Sequence, residues 1–467
     1  MTRFAPILVA ALLAGCAVPH SPPVVAPVAP AALGLGTAAA PLIADDWWRG
    51  FGDPQLDRIV TDATAGNPTL DAALARVRQA EAVLASRRAD DGPNVTLDGS
   101  VQPQRLSGRY IIPPPYGGTV RTIGQVQGNL SWNLDLFGRQ RAAIEGARAS
   151  ARAAALDVAA ARLAIAGSVV QTYIDLARAE AQARLAQQTV TTREQSLRLV
   201  QTRIRNRLAS NLQAEAAGTL LAQAREAAVR AEGARAIAAN ALAALAGKGH
   251  DYALGIAPTT LNLDTALTLP KTLPADLLAR RPDIAAAQAR IEAAAAGRQV
   301  ARRAFYPNIN LAAFIGLQAI GLGNLVDLDS SAVGAGPAIH LPLFDNGRLK
   351  ADLAGATAAV DIATADYNDR VVGAVRDAAD ALALIDNLTA QRQRAAEVVR
   401  GLSETNRLNA IRVSSGLDSK LDLVDNDIRL LDARLATTNL AADAARQRVA
   451  LVLALGGGFS PAQETAR

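Results

Sequence analysis

Two long stretches of the chain contain no proline, and each is a copy of the other. They cover residues 138–247 and 347–456, so corresponding positions differ by 209, and all 22 prolines lie outside them. Because proline inside a helix costs about 3 kcal/mol, this absence predicts continuous helix. The abundance of alanine, leucine, arginine and glutamine in both stretches favours the same structure.

Apolar residues in the second stretch recur every three or four positions, which is the period of helices that pack along their lengths. One series is Leu417, Leu421, Val424, Ile428, Leu431 and Leu435, and another is Val371, Val375, Ala378, Leu382 and Ile385. Serine, glycine and asparagine interrupt both stretches midway, at 206–211 and 414–416. Each stretch is therefore predicted to be a helical hairpin with a tip at that interruption.

A second repeat lies outside the helical stretches. It relates Asn67-Pro68-Thr69-Leu70 to Arg281-Pro282-Asp283-Ile284, and Pro93-Asn94-Val95 to Pro307-Asn308-Ile309. Residues 71–86 and 285–303, which follow the first member of each pair, are helical by composition. Each half is thus predicted to contain a short helix, an extended region and a long hairpin. We assign the halves to residues 46–256 and 257–457, followed by a tail at 458–467.

The amino terminus predicts export and a lipid anchor. Arg3 precedes an apolar run at 7–13 that is too short to span a bilayer, and Leu13-Ala14-Gly15-Cys16 follows it. This pattern resembles a bacterial lipoprotein signal, which implies that residues 1–15 are removed and that lipid is attached to Cys16. The alternative is an ordinary secretory signal with an incidental cysteine. Residues 16–45, rich in proline and alanine, are typical of an extended tether.

The extended regions alternate strictly between apolar and polar residues. In 125–136 the apolar series is Val126, Gly128, Leu130, Trp132, Leu134 and Leu136, and the polar series is Gln125, Gln127, Asn129, Ser131, Asn133 and Asp135. Residues 94–101 and 309–318 alternate in the same way, and 333–344 less cleanly. Loops rich in glycine or proline, at 108–118 and 321–331, separate the members of each pair. Strands of this length can cross a bilayer when tilted.

Four strands cannot close a barrel by themselves. An open sheet edge is not tolerated in hydrocarbon, and single-chain barrels need about eight strands, so strands that enter a bilayer require further copies of the chain. The alternative is a soluble β-sandwich cap, for which four strands alone provide little apolar packing surface. The predicted fold class is mainly α with a membrane β-barrel portion.

Several motifs span the mature chain. They are Cys16; Trp47-Trp48 with Phe51, Asp53, Pro54 and Leu56; Leu134-Asp135-Leu136-Phe137-Gly138-Arg139; Arg280-Arg281-Pro282-Asp283-Ile284; Phe305-Tyr306-Pro307; and Leu341-Pro342-Leu343-Phe344 with Gly347-Arg348. In order and spacing they resemble the TolC-type outer-membrane efflux proteins, and most closely the NodT/OprM-like lipoproteins of resistance-nodulation-division efflux systems. The resemblance implies a homotrimer with one barrel of twelve strands above an α-barrel of long helices.

The same resemblance implies passive export of drugs or other small molecules through the outer membrane of a Gram-negative bacterium. The implied partners are a periplasmic adaptor, an inner-membrane resistance-nodulation-division pump and outer-membrane lipids. Gln127, Asn129 and Asn133 would face water, while Trp132 and Leu134 would face lipid. Two alternatives stay open: the same channel serving type I protein secretion, and a structural coiled-coil surface protein, which predicts one uninterrupted heptad stalk.

The hairpin tips are the candidate functional sites. Residues 416–425 are similar to the family pattern Gly-x-x-x-x-x-Asp-x-x-Asp, which implies that Asp422 and Asp425 line the periplasmic aperture. Three residues apart on a helix, they share one face, although ordinary solvated aspartates are equally compatible with this spacing. The residues expected to face the adaptor are Arg207, Leu208, Ser210, Gly416, Leu417 and Ser419. The first tip departs from the pattern, because it has Arg207 in place of glycine and Gln213 in place of aspartate.

No enzymatic activity, cofactor or metal site is predicted. His20, His250 and His340 lie in unrelated segments, and the only cysteine is committed to the anchor. Residues 247–249 lack the spacing of a phosphate-binding loop. The net charge of +5 is spread along the helices without a basic, aromatic-rich run, so nucleic acid is not a predicted partner.

Overall fold

The computed structural model describes residues 18–19, 21–29, 33, 43–109, 111–112, 114–264 and 280–459. The first half contains α1 (Pro54–Gly66), α2 (Pro68–Ala89), β1 (Asn94–Arg105), β2 (Val120–Asn133), α3 (Arg139–Arg205), α4 (Asn211–Leu245) and α5 (His250–Leu254). The second contains α6 (Pro282–Arg303), β3 (Asn308–Ile320), β4 (Ser331–His340), α7 (Arg348–Ser414) and α8 (Lys420–Ala454). The predicted order of short helix, strand pair and helical hairpin is therefore confirmed in both halves.

The two hairpins match in length as well as in order. Helices α3 and α7 each have 67 residues, and α4 and α8 each have 35. The fold thus consists of paired helices with a tip in each hairpin, and not of the uninterrupted stalk that a coiled-coil surface protein predicts.

Strand β2 ends earlier than predicted, at Asn133. Asp135 takes a left-handed backbone conformation with φ 43°, which turns the chain out of the sheet. Its carboxylate then accepts the backbone N–H of Gln140 at 2.8 Å, at the start of α3. Leu136 therefore lies outside the strand, whereas Leu134 still donates its backbone N–H to the carbonyl oxygen of Ile309 in β3 at 3.1 Å. That Leu134 faces lipid stays a prediction.

Strand β4 ends at His340 instead of continuing to 344, and the local cause is the same. Asp345 accepts the backbone N–H of Leu349 at 2.8 Å and so caps the start of α7. The residues between the strand and this cap form the connection, which shortens the predicted strand.

The described chain divides into two units, each assembled from three stretches. Unit 1 combines residues up to 27 with 76–154 and 286–367, and it contains the sheet. Unit 2 combines 28–75, 155–285 and 368–467, and it contains both hairpin tips. Each unit therefore contains stretches from both halves of the chain. The division between residues 256 and 257 separates the two sequence repeats, and its use as a domain boundary stays a prediction.

Residues 18–19 and 21–29 form an extended segment, called the strap below, and its residues up to 27 are held against helices of unit 1. The N–H groups of Val24 and Val25 donate to the Asp361 carboxylate of α7 at 2.8 and 2.9 Å. Arg298 of α6 donates to the carbonyl oxygen of Ser21 at 2.6 Å. This part of the predicted tether is therefore fixed by hydrogen bonds.

Strap residue Val18 packs beside a small core where the helices join the sheet. Phe305, Leu349 and Leu353 form that core. Phe305 lies between the end of α6 and the start of β3, and Leu349 lies in the first turn of α7. The amino-terminal end of the strap is thus placed at the junction of helix and strand.

The core of unit 2 is built by close helix packing. Val371 and Ala378 of α7, together with Val424 and Ile428 of α8, are buried as their seven-residue pattern predicts. Leu417 was also assigned to that series, but it is 67% exposed. It lies in the tip before α8 begins, so its assignment to the helical seam was wrong.

Helix α3 owes its apolar character to this core. Among the described helices, it alone is long and apolar enough to cross a membrane by length and composition. However, 44% of its most apolar window is buried within the protein. Val169, Val170, Tyr173 and Ile174 of this helix have no exposed surface.

A buried polar network joins α1, α3 and the connection between the two halves. Asp53 caps α1 and accepts the Tyr173 hydroxyl at 2.8 Å and the Thr260 N–H at 3.0 Å. Gln55 donates to the same hydroxyl at 3.0 Å. Burial acts to raise the pKa of Asp53, but the hydrogen bonds from Tyr173, Gln55 and Thr260 outweigh it and hold that pKa below its usual range.

The Arg281-Pro282-Asp283 motif ties the start of α6 to the end of α8. Arg281 forms two hydrogen bonds with Asp283, at 2.7 and 3.0 Å, and a third with the carbonyl oxygen of Ala454 at 3.1 Å. Burial raises the pKa of Asp283, whereas the Arg281 guanidinium lowers it more, so the carboxylate is held in its charged form.

We predict that Tyr173→Phe destabilises the protein by about 1–3 kcal/mol, because it removes one donor from the buried Asp53 carboxylate. The measurement is the midpoint of thermal unfolding, which should fall. The matched control is Tyr306→Phe. The Tyr306 ring stacks on Phe137 with centroids 5.4 Å apart, and the Tyr306 hydroxyl bonds to no described residue. The unfolding midpoint of the Tyr306→Phe variant should therefore equal that of the wild type. Equal midpoints for Tyr173→Phe and the wild type would refute the role of the network.

Candidate functional site: the sheet faces and the hairpin tips

The four strands form one antiparallel sheet in the order β1-β2-β3-β4, and its register places most of the apolar residues of all four strands on one face. One row of paired positions joins Val95, Leu130, Ala313 and Ala335. The same face carries Leu97, Val101, Val126, Trp132, Ile309, Leu311, Ile315, Leu317, Val333 and Ile339. Much of this face is open to the surroundings, since Leu97 is 77% and Val333 is 79% exposed. An exposed apolar face of this extent is suited to contact with lipid.

The opposite face of β1 and β2 carries a ladder of polar side chains. Gln125 donates to Gln127 at 2.5 Å, Gln127 donates to Asn129 at 2.5 Å, and Asn129 donates to the Asp98 carboxylate at 2.7 Å. Gln127 and Asn129 therefore lie on the opposite face of the sheet from Trp132, as predicted. These amides satisfy one another along the strand and leave a polar surface.

In the middle of β3 and β4, the same face is lined by small residues and one aromatic ring, while Asn310, Gln318 and His340 lie nearer the strand ends. Phe314 pairs with Gly334, and a Cβ atom at Gly334 would lie 2.5 Å from the Phe314 ring. Gly334 therefore gives space for that ring to lie across the neighbouring strand. The weak alternation of 333–344 has this cause, because glycine and alanine occupy positions where β2 has amides.

Both edges of the sheet are unpaired in the described chain. Strand β1 pairs with β2 alone, and β4 pairs with β3 alone. Pro103 in β1 and Pro337 in β4 lack an N–H, but along each edge strand the backbone groups of alternate residues still point away from the sheet without a partner. Such an edge is a template for pairing with another strand.

The two hairpin tips have the same backbone turn although their sequences differ. Arg207 has φ 59°, and Gly416, which corresponds to it in the repeat, has φ 74°. Their following residues close the turn in the same way: Leu208 N–H donates to Arg203 O at 2.8 Å, and Leu417 N–H donates to Arg412 O at 2.8 Å. An arginine thus occupies the left-handed position that glycine normally fills.

The residue three positions into each following helix closes the turn. Gln213 accepts the N–H of Ser210 at 3.3 Å, and Asp422 accepts the N–H of Ser419 at 3.3 Å. Asp422 and Gln213 therefore make the same helix-capping hydrogen bond, so either residue can occupy this position. Asp425 is exposed and makes no hydrogen bond or ion pair with a described residue.

The tips differ in charge. Residues 195–214 contain no acid, and Arg203, Arg205 and Arg207 make the first tip positive. In the second, Arg412 forms an ion pair with Asp418 at 2.6 Å, which holds the pKa of that carboxylate below its usual value. Sequence reasoning missed this pair, since its six-residue separation becomes short only when the glycine turn folds back.

One leucine extends into solvent at each tip. Leu208 is 68% and its counterpart Leu417 is 67% exposed. Ser210 and Ser419 directly precede the helices that follow. The six residues predicted to face a partner are therefore grouped by the fold at two equivalent turns, and Asp422 and Asp425 lie in the first two turns of α8, which begins at Lys420.

Comparisons with known proteins agree with this architecture. A family model described as outer membrane efflux protein matches residues 59–248 and 273–457. The fusaric acid resistance protein FusA of Burkholderia cepacia is 34% identical over 368 residues, covering 76% of this chain and 69% of that protein. The outer membrane protein VceC of Vibrio cholerae is 31% identical with a TM-score of 0.81, covering 90% of this chain and 100% of that one.

A solved structure whose description states a channel is also similar. It is the open state of the MtrE outer membrane channel of Neisseria gonorrhoeae, with 27% identity and a TM-score of 0.78. The alignment covers 95% of this chain and 98% of that one. The likeness thus extends over nearly the full length of both chains.

We predict that Arg207→Gly slows backbone amide hydrogen exchange at residues 203–210 about fivefold. The reason is that glycine relieves roughly 1 kcal/mol of left-handed strain. Gly416→Ala should speed exchange at the second tip by a similar factor. Ala209→Gly is the control, since Ala209 has no positive φ and gains nothing from glycine. Exchange in Arg207→Gly that is as fast as in the wild type would show that the turn holds no strain.

Proposed function

Because this chain belongs to the outer membrane efflux protein family, we propose that three copies of it form the passive exit duct of a tripartite efflux system. The chain is an efflux channel of the outer membrane of a Gram-negative bacterium. In the proposed system, an inner-membrane resistance-nodulation-division pump and a periplasmic adaptor deliver drugs or other small molecules to the duct. No step of the transport changes the substrate chemically.

The observation that carries this proposal is the sheet with one apolar face and two unpaired edges. A lipid bilayer cannot hydrogen-bond the free backbone groups of β1 and β4, so another strand must do so. Joining β4 of one copy to β1 of the next satisfies both edges with identical subunits. Three copies then supply twelve strands, enough to enclose a water-filled interior.

The two faces of the sheet assign the inside and outside of that barrel. The face with Trp132 is apolar and fits contact with lipid. The face with Gln127 and Asn129 is polar and fits a water-filled lumen. Asn133, at the end of β2, falls on the polar side of the same alternation. A solute would therefore pass a wall of amides and small residues without a deep binding site.

We assign the two hairpin tips to the inner end of the duct. Asp422 and Asp425 of three copies would form acidic rings that attract cations and narrow the aperture. The adaptor would contact Arg207, Leu208, Ser210, Gly416, Leu417 and Ser419. The two exposed leucines, Leu208 and Leu417, offer apolar contacts at equivalent turns.

We also propose that Cys16 carries the lipid anchor. This residue lies outside the described residues. The proposal rests on the sequence Leu13-Ala14-Gly15-Cys16 and on its similarity to a bacterial lipoprotein signal.

We predict that the purified protein contains three copies by native mass spectrometry and conducts ions in planar bilayers. Asp422→Gln with Asp425→Asn should lower its cation preference at least about twofold, because the acidic rings lose their charge. Glutamine at 422 keeps the helix cap, as Gln213 does in the first tip. The measurement is the reversal potential in a salt gradient.

The control for the double variant at Asp422 and Asp425 is Asp432→Asn. It removes one exposed acid further along α8 and should leave the reversal potential unchanged. A monomer that stays soluble without detergent would refute the duct itself. A trimeric pore with unchanged selectivity in the double variant would refute only the aperture assignment.

We predict that mass spectrometry of the mature protein shows an amino-terminal Cys16 bearing acyl chains. In Cys16→Ala, the acyl mass should disappear while the barrel still forms, since the strap makes its contacts from Val18 onward. An unmodified Cys16 thiol in the wild type would overturn the anchor.

A further inference from the structure

Three arginines from three helices line one cavity in unit 2. The cavity has a volume of about 620 Å³ and lies between α3, α7 and α8. Arg184 comes from α3, Arg400 from α7 and Arg434 from α8. These residues belong neither to the sheet faces nor to the hairpin tips, and the proposed function gives them no role.

The three guanidinium groups have no counter-charge. None of the residues that line the cavity is acidic, and none of the three guanidinium groups forms an ion pair or hydrogen bond with a described residue. Elsewhere on α7, arginines are commonly paired within the helix, as Arg394 is with Glu397 at 3.2 Å. Three like charges around one concavity repel one another, and a bound anion would remove that repulsion.

The remaining wall is partly apolar. Leu185 and Val399 contribute aliphatic surface, and Thr437 and Thr438 contribute hydroxyl groups. Both hydroxyls already donate to backbone carbonyl oxygens of α8, at 2.6 and 3.0 Å. Donors to a ligand must therefore come mainly from the arginines, while the aliphatic side chains suit an apolar body.

Bonds next to the cavity fix two of its helices. Gln182 of α3 donates to Asn439 of α8 at 2.7 Å. Arg178 of α3 is paired with Asp443 of α8 at 3.2 Å. These cross-links hold α3 and α8 in register, so the cavity is pre-formed and binding requires little rearrangement.

The internal repeat supplies a natural comparison. The positions that correspond to Arg184, Arg400 and Arg434 are Gln393, Thr191 and Arg225. The single arginine among them, Arg225, is neutralised by Glu194 at 2.9 Å. The cluster of unpaired arginines is thus specific to one of the two related sites and is not a general consequence of the helix packing.

We propose that this cavity binds an amphiphilic organic anion, with a carboxylate, sulfonate or phosphate group held by the three arginines and an apolar body against Leu185 and Val399. Its volume is in the range of small-molecule sites. Planar guanidinium groups bind such oxyanions through paired, charge-assisted hydrogen bonds. The proposal concerns binding to the assembled protein and does not depend on export.

The test is calorimetric titration of the detergent-solubilised trimer with naphthalene-2-sulfonate. The wild type should bind this probe, and raising the salt concentration should weaken binding. Arg184→Gln, Arg400→Gln and Arg434→Gln combined should reduce affinity at least tenfold. Arg225→Gln is the matched control, because it removes the repeat-related arginine outside the cavity, and it should bind as the wild type does.

Two further ligands separate the contributions of charge and apolar surface. Naphthalene-2-methanol, which lacks the charge, and inorganic sulfate, which lacks the apolar body, should each bind at least tenfold more weakly. Equal binding of either ligand, or equal affinity in the triple variant, would overturn the proposal. So would a wild-type trimer that binds no probe, as expected if a neighbouring copy fills the cavity.

The natural anion could be derived from membrane lipid or taken up from solution. Mass spectrometry of small molecules released from the purified protein distinguishes these sources. A fatty acid or phospholipid that is retained by the wild type and lost in the triple variant indicates a lipid source. A wild-type protein that carries no lipid and binds the probe indicates a soluble ligand. The conductance of the triple variant shows separately whether the pore is intact.

Discussion

The backbone groups along β1 and β4 have hydrogen-bonding partners on one side only, and the rest of the architecture depends on how the other side is satisfied. In water these groups could be solvated, but the adjoining face of the sheet is apolar and exposed. The hydrocarbon of a membrane therefore solvates the apolar face well, but it offers no hydrogen bonds to the backbone groups of the edges. Pairing the edges of identical copies removes the conflict, which is why one chain can hold a complete lipid-facing surface and still be only part of a wall.

The duplicated fold keeps its backbone constant and varies its side chains. The long helices have equal lengths in both halves, and Arg207 and Gly416 adopt the same left-handed turn. Asp422 and Gln213 likewise make the same cap. Charge is what changes: the first tip is basic, the second contains acids, and unpaired arginines lie at only one of two repeat-related sites. The repeat thus provides two equivalent frames, and the functional differences lie in a few substituted positions.

Elements with a strong local cause could be predicted from the sequence. The helices follow from long proline-free stretches, and the paired faces of the sheet follow from two-residue alternation. The positions of the tips follow from glycine, serine and asparagine. The ends of β2 and β4 could not be predicted, because alternation continues past Asn133 while Asp135 and Asp345 turn the chain to cap the next helix.

Features that need distant partners were also invisible in the sequence. The ion pair between Arg412 and Asp418 depends on the fold of the tip, and the buried bond between Asp53 and Tyr173 joins residues 120 positions apart. Leu417 was misassigned because the helical period continues through a turn that interrupts the helix. The cavity with Arg184, Arg400 and Arg434 has no signature at all, since each arginine alone has the appearance of a solvated helix residue.

The strap has a consequence for the order in which the protein can mature. Its backbone reaches Asp361 and Asn368, partners that follow it by 336 to 340 residues. In a chain that is exported amino terminus first, the strap therefore leaves the membrane long before Asp361 and Asn368, the residues to which it bonds. Closure of so long a loop is an intrinsically late event, so the proposed acylation of Cys16 would come before the strap is bound. The strap can thus form its hydrogen bonds to α7 only after most of the polypeptide has been exported and α7 has folded.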